Sequence, residues 1–548
     1  MAASVTKDSL LFEDVLERCC GTGRWQVMLI AYMSVMWLIF PTFAMSMMFV
    51  GASPPFKCAD GFDVNATFAS LPDDLPECHP LGDNSCTRWV FDKSMYESTV
   101  VTEWSLVCGR KPMLSMLQVR LPGASMLQSV LMLGGIAGAL LGGQLTDRFG
   151  RRPVFLPVML LVMACSFSAA LVGDYVSFVV IRGITGFCMS TMIASQYVLV
   201  TELSGCKHRA ALTTVTFLPF SFGTMLVAAA SYGIRTRWLL QLAFAVPSLL
   251  FLPNFWLMPE SPRWLVLQGR LDEALAILHQ AAHWNRRKMP PDEEVLKLME
   301  EARRGLLARE AALKGTNKSS ALQRILDMIL TARMRIYTLV TCFVSFAIAG
   351  SYFGISFDIT QLSSSPHLAV ALSGLVEIPA AFVYPLMDRL GRRLSQSGFL
   401  LITAICMFST FIKENRTLWT VLGLIAKLGV TSAFNIICIY VSEYMPTQQR
   451  GLAMGIMQTA ARIGGAVSPF VVDLVSGLHE LAPSAVFGTV VLLAGLATLL
   501  LPETAGQPMP ETVADVEEAY RRRKAASAPA DRKLSGVSNA AMQPDGAL

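Results

Sequence analysis

Twelve apolar stretches, each near the length of a membrane-crossing helix, dominate this 548-residue chain. They run Trp25–Val50, Ser125–Leu145, Val154–Val172, Tyr175–Leu199, Ala211–Ala230, Leu239–Met258, Ile336–Phe357, His367–Met387, Phe399–Ile412, Leu418–Tyr444, Leu452–Val472 and Ser484–Leu501. A helix needs about 20 apolar residues to cross about 30 Å of hydrocarbon. In oil every backbone N–H and C=O must be paired within the chain, which leaves helices or closed barrels. The runs are long and lack period-two alternation, so helices are predicted and the fold class is all-α integral membrane. Composition agrees, with 53% hydrophobic and 16% charged residues, against about 25% charged in soluble domains. That excludes a large soluble enzyme, a disordered scaffold and a fibre. The net charge of +5 is small and scattered, so no nucleic-acid partner is expected.

Two long connections set the sidedness. The first, 51–124, holds nine acidic and two basic residues between Cys58 and Cys108. It also holds Cys78, Cys86 and the glycosylation sequon at Asn65. Four cysteines in an extracellular loop imply two disulfides, with three pairings open. The second, 259–335, is basic, reads as amphipathic helices and divides the spans six and six. The short connections at Asp147–Arg152, Cys206–Arg209, Asp388–Arg393 and Gln448–Arg450 are basic too, and basic short loops stay on the cytoplasmic side. The predicted order is a cytoplasmic segment 1–24, a six-helix bundle 25–258 containing the extracellular loop, a cytoplasmic loop 259–335, a second bundle 336–501 and a cytoplasmic tail 502–548. Met1–Gly23 lacks signal-peptide features, so the first span is expected to stay in the mature protein. Beyond Tyr520 the tail is polar, and disorder is expected there.

The chain also repeats itself. Asp147-Arg148-Phe149-Gly150-Arg151-Arg152 returns 241 residues later as Asp388-Arg389-Leu390-Gly391-Arg392-Arg393. Glu202 and Arg209 return as Glu443 and Arg450 at the same offset, and Pro259-Glu260-Ser261 as Pro502-Glu503-Thr504 at 243. Two copies of one six-span unit, related by an axis along the membrane normal, follow. Glycine permits the tight turn in each loop. Glu202 with Arg209, and Glu443 with Arg450, are expected to pair across the end of the molecule and latch the halves; the plainer alternative is that these charges only fix topology.

This pattern resembles the major facilitator superfamily over almost the whole chain. Pro259-Glu260-Ser261-Pro262-Arg263-Trp264-Leu265 is shared with sugar porters and selects no branch. The long cysteine-bearing loop, Val101-Thr102-Glu103-Trp104-Ser105-Leu106-Val107-Cys108, Leu375-Val376-Glu377-Ile378-Pro379-Ala380 and Ser442-Glu443-Tyr444-Met445-Pro446-Thr447 are similar to organic cation, anion and carnitine transporters. The resemblance implies twelve transmembrane helices in two pseudo-symmetric bundles, a plasma-membrane location with both termini cytoplasmic, and a small organic ion as partner besides the lipid bilayer. One departure is Ser115-Met116-Leu117-Gln118 repeated at Ser125-Met126-Leu127-Gln128, which reads as an insertion of 119–128 or a duplication.

A charge deep in a span is costly and marks a functional hypothesis. Arg462 comes first: anion and carnitine relatives carry arginine there, and a guanidinium grips a carboxylate through two parallel hydrogen bonds. The alternative is that Arg462 pairs with Glu377 and never meets substrate. Lys427 and Arg182 are weaker candidates. Glu377 balances a cationic group or neutralises Arg462. Tyr352 matches an aromatic position of the family's central pocket, and Asn435 is a possible polar contact. Asp358 ends span seven. No catalytic or metal-ligand constellation and no nucleotide-binding motif occurs, so neither an enzyme nor a cofactor is expected. The reading is a secondary carrier of small organic ions by alternating access, leaning to anions or carboxylate-bearing zwitterions. Alternatives are an organic cation carrier, a sugar porter-like carrier and a non-transporting receptor of the same fold.

Overall fold

The computed structural model describes residues 12–21, 23–60, 67–72, 88–107, 123–203, 216–315, 330–362, 365–411, 415–446, 449–475, 482–505, 510 and 513–526. Span one is Arg24–Ala44 continued by Met47–Val50, span two Gly123–Phe149, span three Arg151–Leu171, span four Tyr175–Leu203 and span five Leu218–Gly233. Span six is broken into Arg237–Ala245, a tighter turn at Val246–Phe251, and Asn254–Leu257. Spans seven to twelve are Ala332–Leu362; Pro366–Glu377 with Pro379–Phe382 and Tyr384–Leu390; Arg392–Ser409; Arg416–Tyr444; Arg450–Val475; and Ala482–Thr498. Seven helices among the described residues are each long and apolar enough to cross a membrane alone. Span six is among these seven although it tightens at Pro247 and Pro253; span eight is shorter because it breaks at Pro379, where the ring removes an N–H and clashes with the preceding turn.

The two halves pack alike. Span two lies on four, one on five and three on six; eight lies on ten, seven on eleven and nine on twelve. The halves meet along two seams, two against eleven and five against eight. Small residues allow the closest approaches. A Cβ at Gly134 would stand 2.0 Å from the Gly183 carbonyl oxygen, and one at Gly138 would stand 2.1 Å from that of Phe187.

Four spans out of six in each half touch one repeated loop. Gly150 and Gly391 sit at φ +101 and +86, and each starts the next helix. A Cβ on Gly150 would meet Glu260 Oε2 at 2.5 Å; one on Gly391 would meet Glu503 Oε2 at 2.7 Å. These carboxylates cap spans three and nine, accepting backbone N–H from Arg151 and Arg152 at 2.9 and 3.2 Å, and from Arg392 and Arg393 at 2.8 and 3.1 Å. An anion at a helix N-terminus meets both free donors and the positive end of the dipole.

At this same end the connection between halves folds into helices Pro262–Gln268, Leu271–Trp284 and Asp292–Gly315, joined by the N-terminal helix Phe12–Cys19. Asn285 fastens them to span one: its Oδ1 accepts from the Trp25 N–H at 2.9 Å, and its Nδ2 donates to the Cys20 carbonyl at 3.0 Å. The tail is helical over Val513–Ala526, past the point where disorder was expected. Its Tyr520 ring lies 3.3 Å from the guanidinium of Arg333, in the first turn of span seven, so the tail helix is docked there.

At the other end, strands Phe56–Cys58 and Trp89–Phe91 pair antiparallel in the first long connection. Cys58 is disulfide-bonded to a partner outside the described residues. Cys78, Cys86, Cys108, Asn65 and the 119–122 part of the insertion also lie outside them. The segment Val100–Glu103 docks the loop: Arg237 pairs with Glu103 and stacks 4.9 Å from the Trp104 ring, while Trp104 Nε1 donates to the Gly173 carbonyl at 2.8 Å.

Candidate functional site

The seam between spans two and eleven is shut at the loop end and parted at the motif end. Ser129 Oγ donates to the Ala466 carbonyl at 2.5 Å. One turn on, Gly465 faces Met132, and then Gly135 faces Arg462, whose Nη1 would lie 3.2 Å from a Cβ there. Gly143 and Gly455 continue those two faces by helical spacing, yet a Cβ on either meets nothing within 4 Å. The other seam closes at the loop end as well. His367 of span eight stacks on Phe49 of span one at 5.0 Å and lies near Tyr96 and Tyr232.

Arg462 stands at the head of this cleft. It is half-buried and has no ion-pair or hydrogen-bond partner among the described residues. Ser190 of span four lies beside it across Gly135, its hydroxyl also buried without a partner. The expected alternative, pairing with Glu377, is not what the structure holds. Glu377 Oε1 lies 3.2 Å from Lys427 Nζ, both side chains 2% exposed. Tyr352 donates its hydroxyl to the same oxygen at 2.7 Å, and Lys427 sits 4.7 Å from the Tyr352 ring. Phe220 of the first half approaches that ring at 6.5 Å. Proline at 379 ends the helix just past Glu377, so the carboxylate sits where span eight breaks. Asn435 serves that break: its Nδ2 donates to the Ala380 carbonyl at 2.9 Å, satisfying an acceptor the helix has released.

Lys427 also lines a cavity of about 10 Å³ between the halves, walled by Met45, Thr224, Ile359 and Ser373. That volume holds about one water. Arg182 binds a backbone carbonyl of a neighbouring helix. It is 4% exposed and its Nη1 donates to the Phe43 carbonyl at 3.0 Å, which ties span four to the end of the long helix of span one.

The charged motifs form two equivalent networks. Arg151 reaches Asp147 at 3.2 Å and Glu202 at 3.0 Å; Arg392 reaches Asp388 at 3.0 Å and Glu443 at 3.0 Å. Thr504 Oγ1 donates to Glu443 at 2.5 Å, whereas its counterpart Ser261 caps the next helix by accepting the Trp264 N–H at 3.2 Å. This corrects the expected latch. Glu443 pairs with Arg392 instead of Arg450, which opens span eleven, and both networks stay inside one half. Arg209 lies outside the described residues. Arg148, Arg152, Arg389 and Arg393 flank the loops, with Arg152 Nη2 donating to the Phe255 carbonyl at 2.7 Å. The Asp147 and Asp388 side chains are 73% and 42% exposed, and such pairs contribute at most about 1 kcal/mol. The Glu202 and Glu443 pairs are nearly buried, and removing one partner of a buried pair costs about 3–5 kcal/mol. The helix-capping roles of Glu260 and Glu503 are not readable from their residue type; the only sign was their repetition.

Two six-helix halves around a cleft with an unpaired cation define a carrier that exposes its site to one side at a time. Residues 94–515 match the family model described as sugar (and other) transporter. The chain is 32% identical over 462 residues to "Organic cation transporter protein" of Drosophila melanogaster, covering 83% of this chain and 81% of that one. It is 32% identical to "Organic anion transporter 3" of Oryctolagus cuniculus over 461 residues, covering 83% and 80%. It is also 32% identical to "Solute carrier family 22 member 12" of Rattus norvegicus over 433 residues, covering 78% and 75%. A solved structure titled "Inward open conformation of the xylose transporter XylE from E. coli" shares the fold, with TM-score 0.58 and 17% identity over 90% of this chain and 99% of that one. The chain belongs to the organic cation and anion transporter family of the major facilitator superfamily.

Proposed function

We propose that this transporter carries small organic anions, or zwitterions bearing a carboxylate, across the plasma membrane, and that Arg462 receives the carboxylate. The unpaired guanidinium at the head of the cleft supports this reading. Every other buried cation described above has a partner, so this one is available to an incoming anion. A name such as "Organic anion transporter 3" among the relatives leans the same way, while "Organic cation transporter protein" leans the other. Lys427, Glu377 and Tyr352 form a neutral backing wall whose pairing a substrate perturbs. Asn435 and Arg182 shape the spans around it.

The basic short loops support cytoplasmic termini, a cytoplasmic 259–335 and an extracellular 51–124 bearing a glycan at Asn65. The motif end, where the cleft opens, is then cytoplasmic. The test is uptake of labelled p-aminohippurate, carnitine and tetraethylammonium by cells expressing wild type, Arg462→Lys or Arg462→Asp, normalised to surface-labelled protein. A charge-assisted pair contributes about 1.5–3 kcal/mol, so Arg462→Asp should lower p-aminohippurate uptake at least about tenfold. Arg462→Lys should retain part of it. An unchanged charge preference in Arg462→Asp refutes the role of Arg462. Surface-displayed wild type that moves no probe favours a receptor.

A further inference from the structure

Asp358 is a buried acid with no counter-charge among the described residues. It lies six residues beyond Tyr352 on span seven and is 4% exposed. Ser484 of span twelve donates its hydroxyl to Oδ2 at 2.7 Å, and no cation pairs with it among the described residues. Its carboxyl lines a cavity of about 10 Å³ wholly within the second half, shared with Thr410, Trp419 and Gly423. A lone carboxylate in such surroundings is strongly disfavoured unless neutralised.

Two small cations can neutralise it. A metal ion needs a shell of several oxygens. Here the Thr410 hydroxyl already donates to the Met407 carbonyl, the Thr410 carbonyl already accepts Trp419 Nε1, and the rest of the wall is mainly apolar. Beyond these, only the carboxylate and the Ser484 and Thr420 hydroxyls bring side-chain oxygen to the cavity, short of a metal ion's shell. That donor set suits a proton.

The site is placed to sense substrate. Ile359 walls both this cavity and the one that Lys427 lines. A Cβ on Gly423 of span ten would meet Ile359 at 2.7 Å, so spans seven and ten cannot shift against each other without reshaping both cavities. The same two spans carry Tyr352 and Lys427. No other described residue of the Asp358 cavity is charged or titrates near neutrality: spans nine, ten and twelve contribute only uncharged side chains to it, and Lys427 faces the neighbouring cavity.

We infer that Asp358 is a proton-binding site near the loop end of the second half, loaded when its cavity is dry and emptied when the cavity wets. The proton comes from water on one side and returns to water on the other, and the carboxyl is neutral in between. The transport link rests on the function proposed above; the site itself does not.

The first experiment therefore needs no substrate. Tryptophan fluorescence of the full chain in lipid nanodiscs is followed from mildly acidic to mildly alkaline pH, with Trp419→Phe identifying the Trp419 signal. A titration in wild type that Asp358→Asn abolishes supports the site. The same titration surviving in Asp358→Asn overturns it. Should Asp358→Asn misfold, Asp358→Glu decides: a moved midpoint supports the proposal and an unmoved one overturns it. A response to sodium replacing choline at fixed pH, abolished by Asp358→Asn, overturns it in favour of a metal ion. In voltage-clamped cells, p-aminohippurate uptake should change severalfold with external pH in wild type and not in Asp358→Asn. A fluorescence titration with no uptake of any probe supports the proton site and sinks the anion reading.

Discussion

Lys427 and Arg462 are both mid-span cations, yet their surroundings divide their work. Lys427 faces a carboxylate and a tyrosine ring in a pair shielded from bulk solvent. Arg462 faces a glycine and an unpartnered serine hydroxyl. Sequence shows that both charges are buried in spans; it does not show which helix face each occupies, and so left Glu377 open to either partner. Conversely Glu503, outside the spans, acts through backbone it touches only in the fold. Burial pushes its carboxyl up, but N–H donors of Ala505, Arg392, Arg393 and Thr504 outweigh that and hold it below the usual glutamate range. The folded group thus titrates below the unfolded one, so its stabilisation is complete above the unfolded value of about 4.3 and fades as pH falls through the folded one. Glu503→Gln should melt earlier than wild type at neutral pH, with the gap narrowing in acid. Thermal melts of the purified protein across that range check this, and a pH-independent gap would contradict it.

At the level of elements, the loop that repeats in both halves is a cap-and-turn unit. A left-handed glycine turns the chain, a distant glutamate caps the next helix, and an arginine ties in the following span. Gly150→Ala and Gly391→Ala each bring a positive-φ penalty of about 1–3 kcal/mol and push the capping carboxylate off its donors. Both variants should show reduced surface expression, and the Gly150→Ala, Gly391→Ala double variant should fall further; wild-type thermal stability in both singles would refute the capping account. The twelve crossings were legible because hydrocarbon imposes their length and apolarity. Their interruptions were harder to place. Pro247 and Pro379 stand in apolar runs like any other, and whether such a residue kinks, breaks or merely ends a helix depends on who receives the freed carbonyl, as Asn435 does for Ala380.

For the whole molecule, closure of both seams at the loop end, with the seam between spans two and eleven parted at the motif end, makes accessibility directional. A cysteine at Gly455 should react with a membrane-impermeant thiol reagent in inside-out vesicles, and one at Gly465, packed on Phe353 and Met132, should resist it. Equal labelling at both positions would contradict the cleft. The repeat predicted the pseudo-symmetry but not this asymmetry between ends, since both states of a rocking carrier share one sequence. Because the Arg151 and Arg392 pairs with Glu202 and Glu443 each lie inside one half, swinging the halves past each other rips no buried ion pair among the described residues. The moving contact is glycine, methionine and aromatic ring, so the barrier to the swing should respond weakly to ionic strength and more to the thickness and fluidity of the surrounding lipid.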